Sequence, residues 1–387
     1  MSALATPYHT TLAGLERWVL ELVVAFLPWR DYLVMRVIYP RTPAPQFKSL
    51  ESVSFKNLDM VLSFVDGAGV NKLEVVNSLP LRYPMIKEDY KTPPRIDLLF
   101  PNLTHVTISN AIKFDDIYLP PTLLYLYLAE GGHDYLNVDI LKKQCPALRT
   151  LCAINYNFQP GVSSLDSMSL LERVVMRGCS NLSRVLHALP SSLRRMDLSG
   201  CKFYGNIDVI VMPPNLYELV LAGCINPPLI DLSQVEGMGH LDISRCDAVQ
   251  FTTPLPATLE RLKMDGCSSV LGRVRLSLPS MGKLRCLDLS NCIVSCGPIV
   301  ESLPTGIEEL RLMGCFLDRS MCEAFRRLTG LRHLSLRGCR GKVDFYEIGV
   351  EYLPDLRVLD VAGTRYTQGG IRNIIAGVHN LCCVIMQ

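Results

Sequence analysis

Several absences narrow the 387-residue sequence before any pattern is sought in it. Charged residues make up only 20% of it, and its 39 Lys and Arg against 37 Asp and Glu leave a formal net charge of +2. That balance supplies no overall pull towards nucleic acid or an anionic membrane. No apolar run approaches the ~20 residues that a bilayer demands. The longest early candidate, "WVLELVVAFLPW" from Trp18 to Trp29, is broken by Glu21 and Pro28. The first residues lack a basic start followed by an apolar signal core. Mitochondrial import stays compatible with them, since the first acidic residue is Glu16. Catalytic signatures are missing too: there is no G-x-x-x-x-G-K-[ST], no G-x-S-x-G and no H-E-x-x-H, and "DGAGV" from Asp66 falls short of a dinucleotide fingerprint. The seven histidines are scattered. No catalytic residue, metal ligand or cofactor is therefore expected, and neither membrane nor nucleic acid is an expected partner.

Cysteine is plentiful by contrast. Fifteen cysteines, an odd number, in a long chain without a signal core point to a reducing compartment, cytoplasmic or nuclear. Their placement is not random. "LPSSLRRMDLSGC" (Leu189 to Cys201) has close relatives in "PNLYELVLAGC", "ATLERLKMDGC", "GKLRCLDLSNC", "TGIEELRLMGC" and "TGLRHLSLRGC". The apolar comb L-x-x-L-x-L starts at Leu50, Val70, Leu103, Leu123, Leu148, Leu171, Leu193, Leu216, Met238, Leu259, Leu284, Ile307, Leu331, Leu356 and Leu381. From Leu171 onward the starts are 21 to 25 residues apart; before it the steps run from 20 to 33. Counting the start as offset 0, offset 8 holds Cys179, Cys201, Cys224, Cys246, Cys267, Cys292, Cys315 and Cys339, and then Thr364. This comb resembles the leucine-rich repeat, whose unit reads L-x-x-L-x-L-x-x-N/C.

Elementary geometry leads to the same organisation. Offsets 3 and 5 share one face of a strand, so offsets 2, 4 and 6 face the other way. A single comb cannot bury its apolar edge, whereas stacked combs can. The offset-8 residue must turn inward at the loop and stay compact, and cysteine is a small hydrophobe with a weak S–H donor. The ladder cysteines are thus expected to be structural. Close C-x2-C pairs are absent among them, which argues against zinc. "DRSMCEAFRRL" places Met321, Ala324, Phe325 and Leu328 on one helical face, and "GGIRNIIAGV" does the same with Ile371, Ile374, Ile375 and Val378. The return segment "CKFYGNIDVIVMPP" reads as turn, glycine and short strand.

Before the repeats, Leu15, Val19, Leu22, Val23 and Phe26 form a helical stripe, Pro28 stops it, Asp31 can cap a second helix, and "PRTPAP" reads as a stiff linker. This segment resembles the F-box at Phe26, Leu27, Pro28, Asp31, Leu33, Arg36 and Val37. It departs from it in lacking a leucine-proline opening before Trp18 and a cysteine-x-x-tryptophan tail. The resemblance implies docking of Leu22, Phe26, Leu27, Pro28, Asp31, Leu33 and Val37 on a Skp1-like adaptor. The alternative is a helical cap on the first repeat.

The expected fold is α/β: a leucine-rich repeat solenoid with a curved parallel sheet on its concave face, mixed short strands and helices on its convex face, and a small N-terminal helical cap. Residues 1–48 form the helical segment and linker, 49–170 degenerate repeats and 171–387 regular ones. The expected role is non-catalytic protein binding, as a substrate-recognition adaptor of an SCF-type ubiquitin ligase; the alternative is a scaffold subunit of a larger protein or ribonucleoprotein assembly. A protein partner is expected on the concave face, through Arg173, Arg177, Arg195, Asp197, Glu218, His240, Asp242, Arg261, Asp288, Glu309, Arg311 and His333. A further partner, or self-association, is expected at the C-terminal edge around Ile371, Ile374, Ile375 and the Leu381–Met386 comb.

Overall fold

The computed structural model describes residues 49–53, 69–76, 95–109, 117–129, 135–158, 161, 163–204, 209–246, 248–267, 278–292, 297–341, 349–364, 378 and 380–385. The F-box-like residues from Leu22 to Val37, the helical face Ile371, Ile374 and Ile375, and Met386 lie outside them.

Every comb forms a strand. These are β1 (Ser49–Val53), β2 (Lys72–Val76), β3 (His105–Ser109), β4 (Tyr125–Ala129), β5 (Thr150–Ile154), β6 (Arg173–Arg177), β7 (Arg195–Asp197), β8 (Glu218–Val220), β9 (His240–Asp242), β10 (Arg261–Lys263), β11 (Cys286–Asp288), β12 (Glu309–Arg311), β13 (His333–Ser335), β14 (Val358–Asp360) and β15 (Cys383–Ile385). The chain divides into two compact units, residues 1–152 and 153–387, with the boundary inside β5. In the first unit β1 to β4 pair in order, all parallel. In the second, β6 to β15 do the same. The repeat holds from Val70 onward in the expected register. At β1 it does not: Leu50 pairs with Leu73, and the register shifts before Val53. Leu50 therefore sits at offset 3 of its comb and not at its start.

Offsets 0, 3 and 5 supply the core, as in Leu193, Met196 and Leu198 or Leu216, Leu219 and Leu221, all buried. Tight turns bracket many strands. Before the strand, the offset-0 N–H donates to a proline carbonyl three residues back, as from Leu193 to Pro190 and from Leu216 to Pro213. After it, the offset-8 N–H donates to the offset-5 carbonyl, as from Cys201 to Leu198 and from Cys267 to Met264. The third residue of that second turn, offset 7, needs a positive φ, which favours Gly or Asn. Gly200 (φ 67°) and Gly223 (φ 66°) supply it cheaply, Asn291 (φ 56°) adopts it too, and Arg245 (φ 54°) bears it as a side chain poorly suited to it.

The eight ladder cysteines are buried just beyond this turn. Their thiols reach backwards. Cys179 donates to the carbonyl of Ala153, Cys201 to Met176, Cys224 to Leu198, Cys267 to Ile243, Cys292 to Met264, Cys315 to Leu289 and Cys339 to Leu312. Each acceptor is the offset-5 carbonyl of the preceding repeat. Cys246 departs, donating to Cys224 at 3.7 Å. Each thiol thus fills a small inward site and ties two repeats together. Burial pushes the Cys145, Cys292 and Cys339 thiols up to about 12. It also raises Cys201, with the neighbouring Cys179 adding to the effect.

The return segments mix strands and a few helices. Val209–Val211, Leu229–Asp231 and Gln250–Phe251 form a small parallel sheet, and Phe316–Leu317 pairs with Arg340–Gly341. Among the described residues the α-helices are α1 (Ile96–Leu99), α2 (Val138–Gln144), α3 (Gly297–Glu301) and α4 (Arg319–Arg327). The α4 segment buries Met321, Ala324, Phe325 and Leu328 as its spacing implies, and Asp318 caps it by accepting from the Met321 N–H at 3.1 Å.

Gly200→Ala should cost about 1–2 kcal/mol, because alanine must enter the left-handed region. Gly282→Ala, at ordinary φ with nothing near the added carbon, should be neutral or slightly stabilising. Paired denaturant titrations check this. Alkaline pH should also weaken the fold. The raised native thiol pKa means the unfolded chain releases protons first, so this stabilisation is whole below the ordinary thiol pKa of 9.0 and is lost as pH climbs towards about 12. Thermal melts across that range should show Tm falling, with a smaller fall after Cys292→Ala.

Candidate functional site

The residues left outside the core stand in rows across the sheet of the second unit, at offsets 2 and 4 in continuous register and with Arg177 at offset 6. The offset-2 row runs Arg173, Arg195, Glu218, His240, Arg261, Cys286, Glu309, His333 and Val358, each the Cα partner of the next. The offset-4 row runs Val175, Asp197, Val220, Asp242, Lys263, Asp288, Arg311, Ser335 and Asp360 in the same register. The twelve residues nominated from sequence therefore share one face. Arg173, Arg177, Arg195, Arg261, Arg311 and His333 are exposed, while Asp197, Glu218, His240, Asp242 and Glu309 are half-buried. Asp288 is only 9% exposed. His240 and His333 are separated by β10, β11 and β12, so they do not meet.

Much of the charge on this face is engaged internally. The aspartates of the offset-4 row accept a hydrogen bond from the backbone N–H two residues on. Asp197 takes it from Ser199, Asp242 from Ser244 and Asp288 from Ser290 at 3.0 Å, and Asp360 from Ala362 at 3.1 Å. These Asx turns hold the chain as it leaves the strand. The second oxygen of three of these carboxylates meets a cation: Arg177 with Asp197 at 2.6 Å, Lys263 with Asp242 at 3.6 Å and Arg311 with Asp288 at 3.9 Å. Arg195 lies 3.7 Å from Glu218, and Arg311 also pairs with Glu309 at 2.5 Å. Burial would raise the Glu309 carboxyl, but Arg311 outweighs it and holds the group below its ordinary range. Burial and the nearby Arg261 hold His240 below the usual imidazole range. Among the described residues, Arg173 forms no ion pair.

Around β6 to β10 this face sinks into a concavity of about 310 Å³. It is lined by Val175, Ser199, Val220 and Ala222 together with Arg173, Arg177, Arg195, Asp197, Glu218, Asp242 and Lys263. Just before β8, Tyr217 is a partly exposed ring held on three sides. It packs against His240 at 5.0 Å, reaches Glu260 with its hydroxyl at 3.2 Å and lies across Gly239, where a Cβ would collide with it. No group of three or more His, Cys, Asp or Glu is placed to hold a metal among the described residues, and no described helix is long and apolar enough to cross a membrane.

Parallel strands recur along both units, and in the second the turns and thiol bridges repeat with them at the comb period. The fold is that of a leucine-rich repeat solenoid. No family model matches the sequence. The Disease resistance protein RPS4B of Arabidopsis thaliana is 30% identical to this chain over 181 residues, which are 45% of this chain and 15% of that protein. Among solved structures, a leucine-rich repeat protein of Leptospira interrogans is similar at a TM-score of 0.48 and 14% identity, over 91% of this chain and 98% of that one. The mouse RP105/MD-1 complex is similar at a TM-score of 0.48 and 15% identity, over 84% of this chain and 55% of that one.

Sequence reasoning missed three features of the site. It treated the offset-4 aspartates as ligands for a partner, although D-x-[SA] at the strand end signals the Asx turn. It passed over Tyr217, which precedes the strand at offset 1. It did not extend the rows into the first unit, where the spacing is uneven. There His105 stacks on Tyr125 with ring centroids 4.2 Å apart, and Tyr125 and Tyr127 are exposed at 40% and 38%. The alternation in "YLYLA" carries that signal.

The two jobs of Asp197 can be separated. Asp197→Asn keeps an acceptor for the Ser199 N–H and loses the ion pair with a largely exposed Arg177, so it should cost less than about 1 kcal/mol. Asp197→Ala orphans the turn as well and should cost about 1–3 kcal/mol. Equilibrium unfolding of the two variants checks the order.

Proposed function

We propose that the chain is a non-catalytic protein-binding module whose partner sits on the polar face of the second unit, over the β6 to β10 concavity. The observation that carries this reading is the concavity itself. Small apolar side chains set among oriented charges, several of them paired, offer complementarity to another protein. Leucine-rich repeat solenoids are built to present such surfaces. The mixed sign of the ring suits a protein epitope better than a phosphate backbone.

The finer role rests on residues 1–48. Their resemblance to the F-box supports a substrate-recognition adaptor of an SCF-type ubiquitin ligase, with a Skp1-like protein docked there and the substrate on the sheet face. Affinity purification with mass spectrometry, run on the intact chain and on an Arg195→Glu/Lys263→Glu double variant, tests both levels. Recovery of a Skp1-like protein and a cullin with both forms, and of a further protein with the intact chain alone, is the expected result. A stable set of partners without those two would replace the adaptor with a scaffold role. Identical recovery from both forms would move the binding surface elsewhere.

A further inference from the structure

We infer that Arg173 and Arg195 together seat a side-chain carboxylate from an acidic segment of the partner protein. This rests on the sheet-face reading above and names the chemistry it recognises. The two arginines are Cα partners on adjacent parallel strands, and both side chains are exposed on the same face. Like charges placed directly opposite one another across a sheet destabilise it unless an anion lies between them. Among the described residues, no carboxylate pairs with both arginines. Arg173 has no ion pair among the described residues. Asp197, the nearest carboxylate in the next row, is pinned through Oδ1 by the Ser199 N–H and hydroxyl and through Oδ2 by Arg177. Glu218 meets Arg195 only at 3.7 Å, so most of the five guanidinium donors of Arg195 remain available.

The charge of the concavity selects the ligand. Arg173, Arg177, Arg195 and Lys263 face Asp197, Glu218 and Asp242, leaving one positive charge uncompensated. A carboxylate carries one negative charge and can take the two guanidinium forks. A phosphoryl group carries ≈ −1.5 to −2 at neutral pH and would meet three carboxylates around the same basin. Val175, Val220 and Ala222, which line the same concavity, can flank the carbons that precede the carboxylate.

The test is selection from a displayed random-peptide library on the folded full-length chain and on its Arg173→Glu variant, with thermal melts confirming that the exposed substitution leaves the fold intact. The expected result is enrichment of Asp or Glu at one position with the native chain, and of Lys or Arg there with the variant. One enriched peptide is then resynthesised with glutamate, glutamine or phosphoserine at that position. Glutamine, or Arg173→Ala in the protein, should weaken binding about tenfold. Enriched peptides without acidic preference would overturn the carboxylate seat and leave the protein-binding reading standing. Phosphoserine binding tighter than glutamate would replace the carboxylate by a phosphoryl group. No enrichment at all would sink both readings.

Discussion

The fold depends on how one turn is closed. In the repeats that carry Cys201 to Cys339, the offset-8 N–H caps its own offset-5 carbonyl, and in seven of the eight ladder repeats the thiol of the offset-8 residue reaches the offset-5 carbonyl of the repeat before it. The offset-7 N–H then donates forward to the offset-6 carbonyl of the next repeat, as from Gly200 to Ala222 and from Gly314 to Arg337. No repeat can complete this turn alone. Its polar groups are satisfied by neighbours on both sides, so stacking is the condition for each local structure and not its consequence. A larger residue at offset 8 would strain that site, and a purely apolar one would remove the bond that ties the turn to the preceding repeat, leaving the carbonyl only its own turn N–H.

That constraint also disciplines the polar face. Because the chain must bend sharply after offset 5, the side chain at offset 4 is recruited to hold it, and aspartate does so in four repeats through its neighbour's N–H. Three of those aspartates then anchor a cation, so much of what looks like binding charge is part of the scaffold. What is left over is informative for that reason. An arginine beside an arginine, on a face where most charges have found a counterpart, is an asymmetry that stacking does not require.

The sequence made most of this fold legible because the repeat averages out local noise. A comb with a matched cysteine recurring every 21 to 25 residues fixes strand direction, inward face and neighbour order together. Phe325 on its helix was equally readable from spacing. Errors arose where a single repeat had to speak alone. Leu50 looked like a comb start because Val53 and Phe55 follow at comb spacing, but pairing with Leu73 and an irregular register place it three positions along. Side chains that act across repeats were harder still. Nothing in the order of residues says that Tyr217 crosses Gly239 to meet Glu260, forty-three positions away.

Hydrogen exchange at the turn amides probes the shared closure most directly. The N–H groups of Gly200, Gly223, Gly266, Gly314 and Gly338 lie in surface turns, yet each donates to the following repeat at 2.7–2.8 Å. Native-state exchange measured residue by residue should give these amides the same opening free energy as the buried strand amides beside them, such as that of Leu219, because the turn opens only when neighbouring repeats separate. Exchange at the rate of an unprotected surface loop, with the strands still protected, would contradict the claim that each repeat is closed by its neighbours.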